Sequence, residues 1–94
     1  MNQEKPIKQV LNELMQSYNL QDKADETRLR AEWEKIAGGV IARRTEKLSV
    51  FNHTLHIWLN SAPLKQEILY HKDVIIERIN NELGSRFIHD LIVK

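Results

Sequence analysis

The chain has 94 residues, enough for one domain with its own core and too few for a second. It contains no cysteine, which excludes disulfides and thiolate zinc sites and fits a reducing compartment, so we expect a cytoplasmic protein. Its 14 basic and 13 acidic residues leave a net charge of +1, which does not by itself predict a nucleic-acid partner. No apolar run approaches the ~20 residues that span a bilayer, so we expect a soluble protein.

The first part of the chain has helical periodicity. From Pro6 onward, apolar residues recur at spacings of three and four, which predicts a first helix that ends near Asn19. Residues 20–25 are then predicted to form a short polar connection, with Asp22 as the cap of the next helix. The apolar residues that follow keep one phase, so this second helix is expected to run to about Arg43.

Gly38 and Gly39 lie inside the predicted second helix. Each glycine makes a helix interior roughly 1 kcal/mol less stable than alanine does. Because the apolar pattern resumes at residues 40–42 in phase with Trp33, we interpret the pair as a point where another backbone approaches closely and the indole anchors the contact. The alternative is that the glycines end a helix at its C-cap.

Alternating apolar residues from Lys47 to Leu59 predict a β-hairpin. Asn52 and His53 suit a two-residue turn, which places Lys47 opposite Trp58 and fixes the register of the residues between them. One face of the hairpin then carries only Leu, Val and Ile and is expected to contact the core. The other face is mixed and carries Lys47, Ser49, Phe51, Thr54, His56 and Trp58.

The remaining residues predict a long helix and a third strand. For the long helix, Ser61 is a suitable N-cap, Pro63 fits the first turn, and Gly84 is suited to the position just after the C-terminal end of the helix. Residues 86–93 are β-prone and too few for another helix. The order helix, helix, strand, strand, helix, strand predicts a single α+β domain over residues 1–94, with a three-stranded sheet covered by helices on one face. If the last strand lies beside the first strand of the hairpin, it runs antiparallel to it.

Catalysis finds little support in the sequence, so we expect a protein that is not an enzyme and needs no cofactor or metal. The histidines fall on separate elements without the close spacing of metal ligands; they are His53, His56, His71 and His89. No serine has a nucleophile-elbow context, and the three glycines do not form a phosphate-binding loop.

Basic residues concentrate where the predicted second helix ends. Arg43, Arg44 and Lys47, which we call the basic exit, could contact phosphates, and Lys65 could join them from the start of the third helix. The alternative is a structural role, because basic residues in the last turn complement the helix dipole.

The mixed hairpin face is the second candidate surface. It places Phe51 and Trp58 beside Lys47 and His56, and aromatic side chains next to cations are what a sheet needs to stack bases and bind phosphates. We therefore predict Trp58 as a stacking residue. The alternative is that the first helix or a partner subunit covers both aromatic side chains.

The pattern of residues along most of the chain resembles that of a bacterial protein family, the DciA family. The similarity covers about residues 11–93, and its structural motif includes Trp33, Ile36, Gly38 and Ile41. The residues that carry it are Trp33, Ile36, Ala37, Gly38, Ile41, Ala42, Thr45, Leu48, Thr54, Leu55, Ile57, Leu59, Ser61, Ala62, Glu67, Ile79, Asn80, Leu83 and Gly84.

The resemblance implies a KH-like fold, DNA binding, and help in loading the replicative helicase when DNA replication begins. The GxxG loop with which true KH domains hold nucleic acid is missing, so any contact must use another surface. The zinc ribbon of some relatives is impossible in a chain without cysteine.

The sequence is therefore consistent with three alternative functions. The first is a non-enzymatic DNA-binding accessory of the replicative helicase, with Arg43, Arg44, Lys47 and Lys65 as phosphate contacts and Trp58 as a stacking residue. The second is a protein-interaction module that docks a partner or a second copy through the hairpin face without nucleic acid. The third is an RNA-binding protein, which differs from the first only in its ligand.

Overall fold

The helices and strands follow the predicted order, but two of the three predicted helices are divided into shorter ones. The computed structural model describes residues 6–17 and 20–94. Its elements are α1 (Ile7–Ser17), α2 (Leu20–Ala31), α3 (Trp33–Ala37), α4 (Gly39–Arg44), β1 (Thr45–Phe51), β2 (Thr54–Leu59), α5 (Ala62–Tyr70), α6 (Lys72–Leu83) and β3 (Asp90–Val93). Asn19, predicted to end the first helix, lies outside the described residues.

The predicted connection at residues 20–25 is wrong, because α2 already begins at Leu20. Asp22 lies in the first turn of α2, where its negative charge interacts favourably with the helix dipole. It is therefore inside the helix and is not the N-cap residue. The Gln21 side chain donates a hydrogen bond to Asp25 Oδ1 at 3.3 Å. Residues four apart face each other on a helix, so this bond fits a helix over residues 21–25. The chain bends at Glu32, whose φ of −106° departs from helical geometry.

Gly38 separates α3 from α4, so the single second helix predicted to reach Arg43 is in fact three helices. Its φ is +92°, a conformation that glycine adopts with little strain and other residues rarely adopt. A Cβ atom at Gly38 would meet no atom of the described residues within 4 Å. The interpretation that another backbone approaches this glycine closely is therefore wrong, and the alternative, a helix end, is correct.

The hairpin has the predicted register. Lys47 lies opposite Trp58, and each pair up to Phe51 and Thr54 is as expected. Asn52 and His53 both have positive φ, 55° and 60°, as a type I′ turn requires. A local turn signal and strict alternation were thus enough to place these two strands.

The long helix predicted after the hairpin has both expected ends and an unexpected bend. Ser61 Oγ accepts a hydrogen bond from the Leu64 N–H at 3.5 Å, and Gly84 has the left-handed conformation of a C-cap, with φ of 72°. Between them His71, with φ of −107°, divides the helix into α5 and α6. The sequence contains no glycine or proline at this point that would have predicted the division.

The third strand lies beside β2 and parallel to it, so the strand order is β1, β2, β3. The condition considered above, a last strand beside β1, is therefore not met, although β3 does run antiparallel to β1. Because α5 and α6 return the chain to the end of the sheet where β2 began, the next strand runs in the same direction as β2. Regular pairing begins at Asp90, later than the predicted start at residue 86.

The core lies between the helices and one face of the sheet. Its buried apolar residues are Leu29, Trp33, Ile36, Leu55, Ile57, Leu59, Ile68, Ile79, Leu83, Phe87, Ile88 and Leu91. The Trp33 indole N–H donates to Thr45 Oγ1 at 3.0 Å, and that hydroxyl donates to the Ile41 carbonyl at 2.7 Å. These two bonds join α3, α4 and β1, so Trp33 has a structural role. The motif residue Ile36 is buried in the same core.

One further bond fixes α2 to the sheet. Arg30 Nη1 donates to the carbonyl of Leu48 on β1 at 2.6 Å, and its Nη2 pairs with Glu26 at 2.6 Å. Because β1 lies at one edge of the sheet, this contact is made at that edge.

Candidate nucleic-acid interface

The face of the sheet opposite the core forms the candidate interface, which we call the open face. By strand alternation and register it consists of Lys47, Ser49, Phe51, Thr54, His56, Trp58, Asp90, Ile92 and Lys94. Helices α4, α5 and α6 contact the sheet from its core side, and α1 contacts α2. The Phe51 side chain is 73% exposed and Ile92 is 41% exposed. The alternative that the first helix covers Phe51 is therefore wrong for the described residues.

Trp58 lies at the centre of a cluster on the open face. Lys47 Nζ is 4.8 Å from the centroid of the indole ring, and Lys94 Nζ is 5.0 Å from it. The His56 ring lies 6.1 Å away at an interplanar angle of 28°. Trp58 is half-buried, and an ammonium so close to an indole is attracted by the electron-rich ring face.

These two lysines differ from Lys35 and Lys72 in their charge environment. Neither ammonium has a carboxylate partner within the described ranges. Lys35, in contrast, pairs with Glu82 at 2.6 Å, and Lys72 pairs with Asp90 at 2.6 Å. Within residues 6–17 and 20–94, no side-chain carboxylate therefore pairs with the positive charges around Trp58.

Asp90 is the one carboxylate that the register places on the open face. The hydrogen bond from Lys72, with a second from the Leu91 N–H, lowers the pKa of Asp90 below its ordinary value of 3.8. Near neutral pH it is ionised and paired with Lys72, so it does not bind the lysines beside Trp58.

The basic exit is exposed at Arg43 and Arg44, in the last turn of α4. The Arg44 carbonyl accepts a hydrogen bond from the Asn60 N–H at 3.1 Å, which ties the end of α4 to the end of β2. Arg43 Nη1 lies 3.2 Å from the position that a Cβ atom would take at Gly39, so this guanidinium folds back along α4. Arg44 thus lies beside the strand ends near Trp58, whereas the Arg43 guanidinium points toward the start of α4.

The structure brings together only part of the predicted set of site residues. Lys47 and Trp58 are in contact. In the described part of the chain, no hydrogen bond, ion pair or ring contact links them to Arg43, Arg44 or Lys65.

The sequence reasoning missed Lys94, because its position depends on the pairing of β3. The Lys94 N–H donates to the Ile57 carbonyl at 2.7 Å, and the Leu59 N–H donates to the Lys94 carbonyl at 3.1 Å. These bonds continue the parallel ladder and place Lys94 beside Trp58. No local pattern around Lys94 could have predicted this contact.

His53 and His89 make contacts within the fold. A 2.7 Å hydrogen bond joins His53 Nδ1 and the Phe87 carbonyl, and the His53 ring stacks on His89 with centroids 4.8 Å apart. Across residues 6–17 and 20–94, no three His, Asp or Glu side chains are grouped so that they could hold a metal ion. Within the same ranges, no helix has both the length and the apolar character to cross a membrane.

The geometry is that of a small α/β domain with helices on one face of its sheet and a basic, aromatic surface on the other. A family model described as "Dna[CI] antecedent, DciA" matches residues 6–93. The chain therefore belongs to the DciA family, as its resemblance predicted. Membership implies a role in loading the replicative helicase for DNA replication. The family is one of helicase-loading accessory proteins and is not known as a family of enzymes.

No curated protein and no solved structure gave a significant match to the chain. The mixed α/β fold and the order of its elements are confirmed by the structure itself. The KH-like fold that the resemblance implies stays a prediction.

Proposed function

We propose that this protein is a non-enzymatic accessory of helicase loading that binds DNA through the open face and the basic exit. The observation that carries the proposal is the contact between Lys47 and Trp58 on an uncovered sheet face, with no carboxylate partner for the ammonium in the described residues. An aromatic ring that can stack a base, next to a cation that can bind a phosphate, is the combination that nucleic-acid-binding sheets use.

In this proposal the residues have different tasks. Trp58 stacks a base, and Lys47 binds the adjacent phosphate. Arg43 and Arg44, exposed at the end of α4, extend the positive surface beyond the sheet and contact phosphates without reading sequence. Lys65, the fourth residue of α5, is half-buried, and it contributes a further phosphate contact.

Salt-dependent binding tests the role of the basic exit. A labelled DNA oligonucleotide is titrated with the protein and with the double variant Arg43→Glu/Arg44→Glu at several salt concentrations. Because each phosphate contact releases counterions, we expect the variant to bind about tenfold or more weakly at low salt and to show a shallower salt dependence.

The control changes the same charge elsewhere. Lys8→Glu/Lys23→Glu alters exposed residues of α1 and α2, which are not in the proposed site. Equal weakening by the two double variants would show that only net charge matters and would remove Arg43 and Arg44 from the site. Matched DNA and RNA oligonucleotides decide between the two nucleic acids.

A second candidate function is a protein-interaction module that uses the same face without nucleic acid. The exposure of two apolar side chains on that face, Phe51 and Ile92, favours it. In that case Trp58→Ala abolishes recovery of the helicase, or dimerisation in sedimentation, while oligonucleotide binding is undetectable at low salt. Recovery of helicase that survives nuclease treatment supports a loading role under either candidate.

A further inference from the structure

We propose that the open face binds one unpaired nucleotide at Trp58, with the base stacked on the indole and the two neighbouring phosphates bound by Lys47 and Lys94. The ligand is then single-stranded nucleic acid, and Lys94 is a binding residue. This inference rests on the proposed function and names the ligand class and a further residue of the same site.

The arrangement across the sheet supports two phosphate contacts around one base. Trp58 lies on the central strand, Lys47 is its register partner on β1, and Lys94 follows β3 on the other side. Neighbouring strands lie about 4.8 Å apart, so the two lysine backbones are about 10 Å apart with the indole between them. Both ammonium groups nevertheless reach to within 5.0 Å of the ring centroid.

In the free protein the ring holds both cations in place. A phosphate attracts an ammonium more strongly than an indole face does, because the charged hydrogen bond adds to the Coulomb attraction. When a strand binds, the ammonium groups can turn to the phosphates and leave a ring face to the base. The side chains that bind are thus already next to the place where the nucleotide arrives.

The same geometry disfavours duplex. A base within a duplex is stacked between its neighbours and can reach an indole only after it is unpaired and flipped out. A single strand presents its bases freely, and stacking on aromatic side chains tolerates any sequence. Phe51 lies on the same face opposite Thr54, about 13 Å along β2 from Trp58, and offers a second aromatic surface on the path of the strand.

Tryptophan fluorescence gives a direct test. Of the two tryptophans, Trp33 is buried and hydrogen-bonded to Thr45, so a ligand on the open face quenches Trp58 selectively. The probe is an oligothymidylate of about ten nucleotides, compared with a duplex of equal length that ends in blunt pairs. We expect the single strand to quench emission, Trp58→Phe to abolish the change, and Trp58→Ala to weaken binding about tenfold or more.

Charge variants test Lys94 separately. Lys94→Gln is expected to weaken binding and to lower the slope of log affinity against log salt by about 0.7, the effect of one lost phosphate contact on a single strand. Lys94→Arg should retain the contact, and Lys23→Gln, on exposed α2, is the charge-matched control. Circular dichroism and thermal unfolding establish that each variant is folded.

The outcomes separate the inference from the proposed function. If the oligothymidylate binds without quenching, if Lys94→Gln behaves like Lys23→Gln, or if duplex binds as tightly with the same dependence on Trp58, this inference is overturned while DNA binding stands. If neither nucleic acid binds at low salt, both the inference and the proposed DNA-binding function fail.

Discussion

Asn80 and Ile88 exchange two hydrogen bonds between a side chain and the backbone. The Asn80 Nδ2 group donates to the Ile88 carbonyl at 2.8 Å, and the Ile88 N–H donates to Asn80 Oδ1 at 2.9 Å. The amide thus occupies both polar backbone groups of a residue that is buried and lies outside the sheet. This contact fixes the segment that leads from α6 into β3.

Removal of that amide should destabilise the fold. In Asn80→Ala both backbone groups of Ile88 lose their partner while remaining buried, so we expect a loss of about 2–4 kcal/mol in the free energy of unfolding. Urea denaturation measures it. Asn81→Ala, an exposed neighbour on α6, is the control and should change stability by less than about 0.5 kcal/mol. A loss below about 1 kcal/mol in Asn80→Ala would contradict the expected role.

The two adjacent glycines should respond differently to alanine. Gly38→Ala forces a β-carbon onto a backbone with φ of +92°, and we expect about 1–3 kcal/mol of destabilisation from strain. At Gly39, among the described residues, the added atom meets only Arg43 Nη1, the movable end of a side chain, at 3.2 Å. We expect Gly39→Ala to stay within about 0.5 kcal/mol of the parent protein. Equal effects in thermal unfolding would argue against a specific need for positive φ at Gly38.

The Thr45 hydroxyl should matter more than the size of its side chain. Thr45→Val leaves the Trp33 indole N–H without its acceptor and the Ile41 carbonyl without a donor, so we expect a loss of about 1–3 kcal/mol. Thr45→Ser keeps the hydroxyl and should recover most of that stability. Chemical denaturation of both variants, followed by far-ultraviolet circular dichroism, distinguishes the hydrogen bonds from the lost methyl group.

The ion pair between Lys72 and Asp90 should make the free energy of unfolding fall at acidic pH. The pKa of Asp90 is lowered in the folded protein, so its stabilising contribution is present above about pH 3.8 and is lost as pH falls through the folded pKa. Lys72→Met should raise the pKa of Asp90 toward its ordinary value and weaken this acid dependence. Carboxyl titration by nuclear magnetic resonance measures the shift.

An internal control comes from a second carboxylate. The hydrogen bond from Lys35 lowers the pKa of Glu82, and neither residue contacts Lys72 in the described chain. The titration of Glu82 should therefore be unchanged in Lys72→Met. An unchanged titration of Asp90 in the same variant would show that Lys72 does not lower the pKa of Asp90.

Local signals in the sequence were sufficient for much of the fold. The turn at Asn52 and His53 has few possible geometries, so the hairpin register and the contact between Lys47 and Trp58 followed from alternation. The caps at Ser61 and Gly84 depend on single residues and were predicted for the same reason.

The sequence-based predictions were wrong where tertiary packing determines the ends of helices and the pairing of strands. The bends at Glu32 and His71 carry no helix-breaking residue, and periodicity resumes after Gly38 because α4 packs on the same core. The partner of β3 depends on how a crossover of two helices returns to the sheet, which no local pattern encodes. Lys94 could not be assigned to the site for that reason, since its approach to Trp58 follows from the pairing of β3 with β2.

The bond between Arg30 and the Leu48 carbonyl has a consequence for association between molecules. An edge strand with free backbone groups is a template for strands of other chains, and such addition leads to aggregation. Because Arg30 occupies this carbonyl, an incoming strand must first displace a guanidinium that is also held by Glu26. The β1 edge therefore resists growth into a larger sheet, even though Phe51 and Ile92 on the open face are exposed.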